Sequence, residues 1–161
     1  MLILGVTRYA QAAALPRIAI FGFELIDTSL QGSIYGTSPA EKARLDRLAE
    51  ALRKSLAESG RFQVVDIGPV EEAAHASNLQ SCGGCDADLA RKVDADFSIT
   101  GTVQKVSELI LNVNLYIRDV STGNLITSMS ADMRGNTDES WSRALNWLVR
   151  YRLLAPNFGQ H

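Results

Sequence analysis

The sequence predicts a mixed α/β (α+β) fold, with one sheet of about five strands in which a β-α-β unit is followed by an antiparallel three-stranded meander. Residues 97–134 alternate apolar and polar side chains in three consecutive runs, as strands with one wetted face do. Residues 17–26 are apolar on both faces, which is typical of a strand covered on both sides. We therefore expect helices mainly on one face of the sheet, with partial cover on the other.

The β-α-β unit begins with the strand 17–26 and a loop over 27–37. The helix that follows starts at Ser38, and Glu41 three residues later completes a capping box. A second strand is predicted over 62–67, and because a helical crossover joins the two strands, they are expected to be parallel.

Two cysteines lie in a Ser-Cys-Gly-Gly-Cys loop between predicted short helices over 69–76 and 86–93. In an exported chain so close a pair is expected to be oxidised, so Cys82 and Cys85 are predicted to form a structural disulfide. A thiol-disulfide activity is the alternative, because a following helix N-terminus lowers a thiol pKa. The adjacent Asp86 opposes a thiolate and weakens that alternative.

Other chemistry has little support in the sequence. His75, Cys82, Cys85 and Asp86 carry metal-ligating atoms, but zinc ribbons need a second pair of ligands, so no metal is predicted. The 27–37 loop occupies a position where α/β sheets often bind ligands, yet it lacks a glycine-rich fingerprint and reads better as a connector. A small-ligand or metal-binding module stays open as an alternative. We predict no catalytic residues and no cofactor.

The N-terminus predicts export. Residues 1–14 are apolar and end in small residues, and Ala10-Gln11-Ala12 matches a secretory cleavage site. This predicts a signal-peptide remnant over 1–14, a single domain over 15–161 and a periplasmic location. A net charge of −2 gives no reason to expect nucleic acid, and no apolar run reaches the roughly 18 residues of a membrane span.

The polar face of the meander is the predicted partner-binding surface. Its middle strand carries Asn112, Asn114, Tyr116 and Arg118, and Tyr and Arg are favoured in interface anchors. Neighbouring strands add Thr100, Thr102 and Ser130. A merely solvated face is the alternative. On either reading the side chains point outward, so alanine at Tyr116 or Arg118 should leave the stability unchanged.

The last helix is predicted to begin at Asn136, with an apolar stripe that starts at Trp141. Trp147 and Tyr151 lie off this stripe. They either pack under a neighbouring loop or extend the contact surface.

Several motifs resemble an uncharacterised family of exported proteobacterial proteins over about residues 17–154. The motifs are Thr-Gly-Thr-Val-Gln-Lys-Val-Ser, Leu-Asn-Val-Asn-Leu-Tyr-Ile-Arg-Asp, Gly-Asn-Thr-Asp-Glu-Ser-Trp, Phe-Glu-Leu-Ile-Asp-Thr-Ser-Leu and Asn-Leu-Gln-Ser-Cys-Gly-Gly-Cys-Asp. The family has no assigned activity, and its members are associated with periplasmic quinoprotein dehydrogenase systems.

At the level of fold the chain is also similar to the N-terminal domain of the Tol β-propeller protein and to the curli-secretion-channel group, where such a domain makes protein contacts. The resemblance therefore implies a non-enzymatic periplasmic accessory protein that acts through a protein partner, with homo-oligomerisation open.

Overall fold

A computed structural model describes residues 14–159 of the chain. Its single sheet has the order β2-β1-β3-β4-β5, in which β1 is parallel to β2 and β3, while β3, β4 and β5 form an antiparallel meander. The strands are β1 (Arg17–Asp27), β2 (Gln63–Val64), β3 (Phe97–Lys105), β4 (Leu111–Asp119) and β5 (Leu125–Met133). The predicted mixed sheet of five strands, with its β-α-β unit and meander, is confirmed.

Five α-helices accompany the sheet in the described part of the chain: α1 (Leu30–Tyr35), α2 (Pro39–Glu58), α3 (Glu71–Ala76), α4 (Cys85–Lys92) and α5 (Asp138–Leu148). A short 3₁₀ turn, Gly68–Val70, precedes α3, a π-helical segment, Val149–Leu153, continues α5, and a further turn spans Pro156–Gly159. None of the helices in residues 14–159 is long and apolar enough to cross a membrane.

The two faces of the sheet carry separate apolar cores. On the first face α2 and α5 pack against the strands, with Leu52, Trp141 and Leu148 almost fully buried. On the second face α3, α4 and the segment between them cover mainly β1 and β3, in a smaller core around Leu89 and Ala90. The outer strands are therefore more open on the second face, which confirms the predicted unequal cover.

Two predicted boundaries were wrong, and one helix was not predicted. The second strand was expected over 62–67, but only Gln63–Val64 pairs with β1. The last helix was expected to begin at Asn136, whereas its N-cap is Thr137, whose side chain accepts a hydrogen bond from the Ser140 N–H. The 27–37 segment was interpreted as a connector, but it contains α1. The predicted signal-peptide remnant lies, apart from residue 14, outside the described residues.

An irregularity in β1 sets the geometry of the site described below. The register of β1 against β3 shifts between Ile20 and Phe23, and beyond the shift Asp27 pairs with Lys105. Because a shift of one residue moves side chains to the opposite face of a sheet, this irregularity determines which side chains of β1 meet those of β3. It sets Asp27 next to Lys105.

Candidate contact surface and the charges beneath it

A buried lysine lies where the parallel strands β1 and β3 end. Lys105 is the last residue of β3, and its side chain is 4% exposed. Its ammonium nitrogen lies 2.6 Å from Glu41 Oε1, 2.6 Å from Glu108 Oε1 and 3.4 Å from Asp27 Oδ2. Three carboxylates thus surround one cation that has almost no contact with water. With Asn136 these residues form what we term the Lys105 cluster.

Asn136 joins this cluster to the last helix. Its side-chain nitrogen donates to Glu41 Oε1 at 2.8 Å and to Glu108 Oε2 at 3.0 Å. Its side-chain oxygen accepts from Arg44 Nη1 at 3.1 Å and from the Trp141 indole N–H at 3.0 Å. Because the side-chain amide makes four hydrogen bonds, Asn136 holds α2, α5 and the turn after β3 in one arrangement.

The charges of the cluster stabilise one another. Burial acts to raise the pKa of Glu41, but hydrogen bonds from Lys105, from the Ser38 backbone and from Asn136 outweigh it and lower that pKa to about 2. Burial likewise acts to lower the pKa of Lys105, and hydrogen bonds to Glu108 and Glu41 raise it above its ordinary value. The pKa of Glu108 is lowered, chiefly by its hydrogen bond to Lys105. All these groups are therefore charged at neutral pH.

The cluster also anchors α1. The Asp27 carboxylate accepts hydrogen bonds from the Ser29 N–H at 2.8 Å and the Ser29 hydroxyl at 2.5 Å, and Ser29 in turn caps α1 at the Gly32 N–H. A Cβ atom at Gly32 would approach the Asp27 carboxyl carbon to 2.3 Å, so any larger residue there would displace the Asp27 carboxylate. The Thr28 N–H donates to the Lys105 carbonyl at 2.9 Å and attaches the same segment to β3.

Six large apolar side chains are exposed above this cluster. They belong to α1 and to the turn between β3 and β4, and each is between 57% and 82% exposed: Leu30, Ile34, Tyr35, Val106, Leu109 and Ile110. We call them the apical patch. Tyr35 lines the same open hollow of about 320 Å³ as Lys105 and Glu108, which shows that the helix and the turn lie side by side. Single exposed apolar residues are ordinary, but six of them on two neighbouring segments make this end of the sheet a candidate interaction site.

The turn that carries half of the patch is well braced. The Val106 N–H donates to the Ile110 carbonyl at 3.0 Å, and the Ser107 hydroxyl accepts from the Leu109 and Ile110 N–H groups at 3.2 Å. The Glu108 carbonyl accepts from the Asn136 N–H at 2.9 Å. The backbone of the turn is thus fixed, and the apolar side chains of the turn are exposed to solvent.

The predicted partner-binding residues lie elsewhere, on the second face of the sheet. Asn112, Asn114, Tyr116 and Arg118 are all partly buried on β4. The Asn114 amide donates to Asn112 Oδ1 at 2.8 Å and to the Thr102 hydroxyl at 3.1 Å. Of the neighbouring side chains expected on this face, Thr100 and Thr102 are buried and Ser130 is exposed. The structure therefore brings the predicted residues together as a strip that is only partly wetted.

Arg118 has a structural partner that the sequence did not suggest. Its Nε lies 3.2 Å from Oδ1 and 3.3 Å from Oδ2 of Asp86, and its Nη1 donates to the Gly123 carbonyl at 2.7 Å. Asp86 is buried in the first turn of α4, where it also accepts from the Ser98 hydroxyl at 2.6 Å. Because Arg118 neutralises a buried carboxylate, the expectation that alanine there spares stability no longer holds.

Cys82 and Cys85 form a disulfide in the structure, with their Cα atoms 5.7 Å apart. The two glycines between them have φ values of 71° and 112°, conformations that other residues rarely adopt. Gly84 is the N-cap of α4, and the next residues of that helix pack into the second-face core. The motif thus shapes the entry to α4, and the Gly-Gly pair is explained by backbone conformation alone.

The residues considered for a metal site do not converge. His75 is largely exposed near Glu71, Cys82 and Cys85 are bonded to each other, and Asp86 is held by Ser98 and Arg118. Within residues 14–159 no group of three or more His, Cys, Asp or Glu side chains is arranged to hold a metal ion.

Trp147 and Tyr151 are exposed on the outer side of α5 and the segment that follows it, with their ring centroids 6.0 Å apart. They do not pack under a loop. Trp147 instead lines an open groove between α5 and β5.

Sequence reasoning missed the Lys105 cluster and the apical patch. One signal was available: Lys105 falls on the buried side of the β3 alternation, together with Ile99 and Val103, where a lysine needs a partner. The patch had no such signal, because 27–37 and 106–110 meet only when β1 and β3 pair.

Comparisons with known proteins bear on the family and the fold. A family model described as "Protein of unknown function (DUF2380)" matches residues 16–153. The C-terminal domain of LpoB from Salmonella enterica has a TM-score of 0.56 and 16% identity, covering 78% of this chain and 87% of that chain. The C-terminal domain of LpoB from Escherichia coli has a TM-score of 0.52 and 19% identity, covering 73% of this chain and 81% of that chain. These likenesses show a shared fold.

The predicted likeness to the Tol β-propeller protein is weaker. TolB from Acinetobacter baumannii has a TM-score of 0.42 and 15% identity, covering 78% of this chain and 25% of that chain. No curated protein matches the sequence.

Proposed function

Because this chain belongs to the family described as a protein of unknown function (DUF2380), we propose its function from its own surface: an exported, periplasmic accessory protein that acts by binding another protein. Membership of an uncharacterised family was predicted from the sequence motifs and is confirmed. The family description names no activity, so we infer the function from the contacts of this molecule.

The apical patch carries the proposal. Its six exposed apolar side chains lie at one end of the sheet, and leaving such a group in water is unfavourable by roughly 25 cal/mol per Å² of apolar surface. The Lys105 cluster lies beneath the patch and fixes the positions of α1 and the β3–β4 turn, which carry it. A preorganised apolar surface loses little conformational entropy when a partner covers it, which favours binding.

The chemistry of the patch favours a protein over a lipid surface. Segments that bind membranes carry Lys or Arg beside their apolar side chains, which attract anionic headgroups. Neither α1 nor the turn 106–110 contains a basic residue, and the turn contributes Glu108. The partner we propose is therefore a protein that presents a complementary apolar surface.

The location is supported by the disulfide. A bonded Cys82–Cys85 pair is the expected state of such cysteines in an oxidising compartment. The family resemblance makes the components of a periplasmic quinoprotein dehydrogenase system the first partners to test.

The polar strip of β4 is the second candidate for the contact surface. Tyr116 is partly buried there and belongs to a residue type common in interface anchors. Arg118 is less suited to a docking role, because it is engaged with Asp86.

A matched pair of crosslinkers tests the choice of surface. A photo-reactive amino acid replaces Tyr35 in one variant and Tyr116 in another, and each is irradiated in the native periplasm. We expect one discrete protein adduct from the Tyr35 position and none from the Tyr116 position. The captured protein is then purified, and its affinity is measured by titration calorimetry.

With that partner, Tyr35→Ala and Leu109→Ala should each weaken binding by about 1–2 kcal/mol, as truncated interface anchors do, while Tyr116→Ala should not. An adduct only from Tyr116 would move the contact to the polar strip. The absence of any adduct, together with binding to vesicles of neutral phospholipid, would replace the protein partner by a membrane.

A further inference from the structure

The sheet ends at an open strand. β5 pairs regularly with β4 from Thr127 to Met133, with a register shift at Leu125 and Ile126, and no strand within residues 14–159 lies on its other side. The opposite end of the sheet has only the two paired residues of β2. The backbone N–H and C=O groups of alternate residues of β5, those that point away from β4, are therefore open for further pairing. Proline, lysine and β-bulges protect such edges in natural proteins. β5 contains no proline or lysine, and its register shift is confined to Leu125 and Ile126, so the edge from Thr127 to Met133 is unprotected by these devices.

The surface beside this edge carries an aromatic ring and charged side chains. An open groove of about 640 Å³ runs between β5 and α5, and its lining includes Asp132, Arg134, Arg143 and Trp147. Trp147 is 44% exposed and Tyr151 is 54% exposed. Trp, Tyr and Arg are enriched where protein interfaces are most buried, so the edge and the groove together have the composition of an interface. No residue of the apical patch takes part.

We propose that β5 pairs antiparallel with β5 of a second copy of this chain, which joins two five-stranded sheets into one of ten strands. A two-fold axis relates the copies, and each contributes the same strand to the interface. Backbone hydrogen bonds across the new pair satisfy the open edge of both copies at once. This proposal does not depend on the proposed function of the apical patch.

The strand is complementary to itself. When two antiparallel copies of β5 pair about Met129, the regular part of the strand from Thr127 to Ala131 overlaps its equivalent: Met129 lies opposite Met129 of the second copy, and Ser128 lies opposite Ser130. Residues directly opposite each other share a face of the sheet. Apolar Met129 therefore meets its equivalent on the first face, where α5 lies, and the exposed serines meet on the second.

Charge also allows this register. The only charged side chain on β5 is Asp132, which lies opposite Ile126 in the pair, so no like charges oppose each other. Because α5 packs beside β5 on the first face, the α5 helices of the two copies flank the seam and cover Trp147. A strand of unrelated sequence would have to reproduce the alternation of Thr127–Ala131, which is why a second copy fits the edge better.

Introducing charged residues at the two exposed serines, Ser128 and Ser130, tests the dimer. The mass of the full chain is measured by sedimentation over a range of concentrations, and we expect twice the monomer mass at the upper end. Ser128→Lys/Ser130→Lys sets lysines opposite lysines across the seam and should raise the dissociation constant about tenfold or more. Ser128→Glu/Ser130→Glu should do the same.

Mixing the lysine and glutamate variants should restore the dimer as a heterodimer, because opposite charges then face each other. The recovery of mass also shows that both variants are folded. Gln104→Lys is the matched control: it adds a lysine at an exposed position on β3, away from the edge, and should leave the dimer unchanged.

Three results would each overturn the proposal. These are a monomer at every concentration, a dimer that the two lysines do not weaken, and a mixture that recovers no dimer. A monomer would leave the β5 edge to an extended segment of another protein.

Discussion

Lys105 on the first face and Arg118 on the second each reach from a strand to a carboxylate in the first turn of a helix. The Lys105 side chain is 4% exposed and its partner Glu41 is 2% exposed. The Arg118 side chain is 25% exposed, although its partner Asp86 is only 4% exposed. The first pair is almost fully removed from water, whereas Arg118 in the second pair stays partly in contact with it.

The more deeply buried pair also has more polar partners. Lys105 is contacted by three carboxylates, and Asn136 binds two of them, so the cluster connects β1, β3, α2 and the start of α5. Arg118 and Ser98 contact the single carboxylate of Asp86, which joins the sheet only to α4. Because charges deep in the protein interact more strongly and cost more when unpaired, the first cluster should dominate the stability.

Removing the lysine should have the largest effect. Lys105→Ala leaves Asp27 and Glu41 buried without their cation, and a buried ion pair broken on one side costs about 3–5 kcal/mol. The loss is measured as the free energy of unfolding in urea. Glu108→Gln is the control, since Glu108 is 46% exposed and its loss should cost less than about 1 kcal/mol. Equal effects of both changes would contradict the dominant role of the buried charge.

Acid should weaken the same cluster selectively. The pKa of Glu41 is lowered to about 2 from 4.5, so the stability it contributes is present above pH 4.5 and is lost as the pH falls from there towards 2. The free energy of unfolding should fall by up to about 3 kcal/mol over this range. Urea unfolding at several pH values measures the loss. Glu41→Gln should be less stable at pH 7 and should lack most of this pH dependence. An unchanged slope would show that another carboxylate is responsible.

The second pair should cost less to break. Arg118→Ala should destabilise the protein by about 2 kcal/mol, because Asp86 stays buried but water can enter beside it. Thermal and urea unfolding measure this change. Tyr116→Ala on the same strand and face is the control: it removes a partly buried ring but leaves no buried charge unpaired, so it should cost less than Arg118→Ala, about 1 kcal/mol. If the two variants were equally stable, the Arg118–Asp86 pair would contribute no measurable stability, and the strip would be a merely solvated face.

The disulfide beside Asp86 should contribute the least. Cys82→Ser/Cys85→Ser should cost about 1–2 kcal/mol, because a loop this short restricts the unfolded chain only slightly. Reduction of the wild type with dithiothreitol should reproduce the same loss. Rapid catalysis of insulin reduction would instead support the thiol-disulfide activity, against the opposing charge of Asp86.

Much of the fold could be predicted because its signals are local. Ser38 and Glu41 form the expected capping box, and the alternation over 97–134 became β3, β4 and β5. The predicted boundaries failed where local and tertiary demands compete. The N-cap of α5 is Thr137 rather than Asn136, because the Asn136 side chain binds the carboxylates of the cluster.

The candidate site was the least predictable part. Asn112, Asn114, Tyr116 and Arg118 lie together as expected, but the sequence could not show that the buried partner of Arg118 is Asp86, 32 residues away. The same holds for Lys105 and Glu41, which are 64 residues apart. An ion pair depends on which helix packs over which strand, and no local spacing encodes that choice.

The sequence by itself determined the elements of this protein: the alternating strands, the capped helix α2, the glycine pair that only a turn accommodates, and the family to which the chain belongs. These follow from the period of side chains along a strand or helix and from backbone conformation, which neighbouring residues set. The tertiary structure decided which charges are buried together, which apolar residues meet at the apical patch, and which strand remains open at the edge of the sheet. Those outcomes depend on pairing between distant segments, because burial and hydrogen bonding are properties of the assembled sheet and its helices.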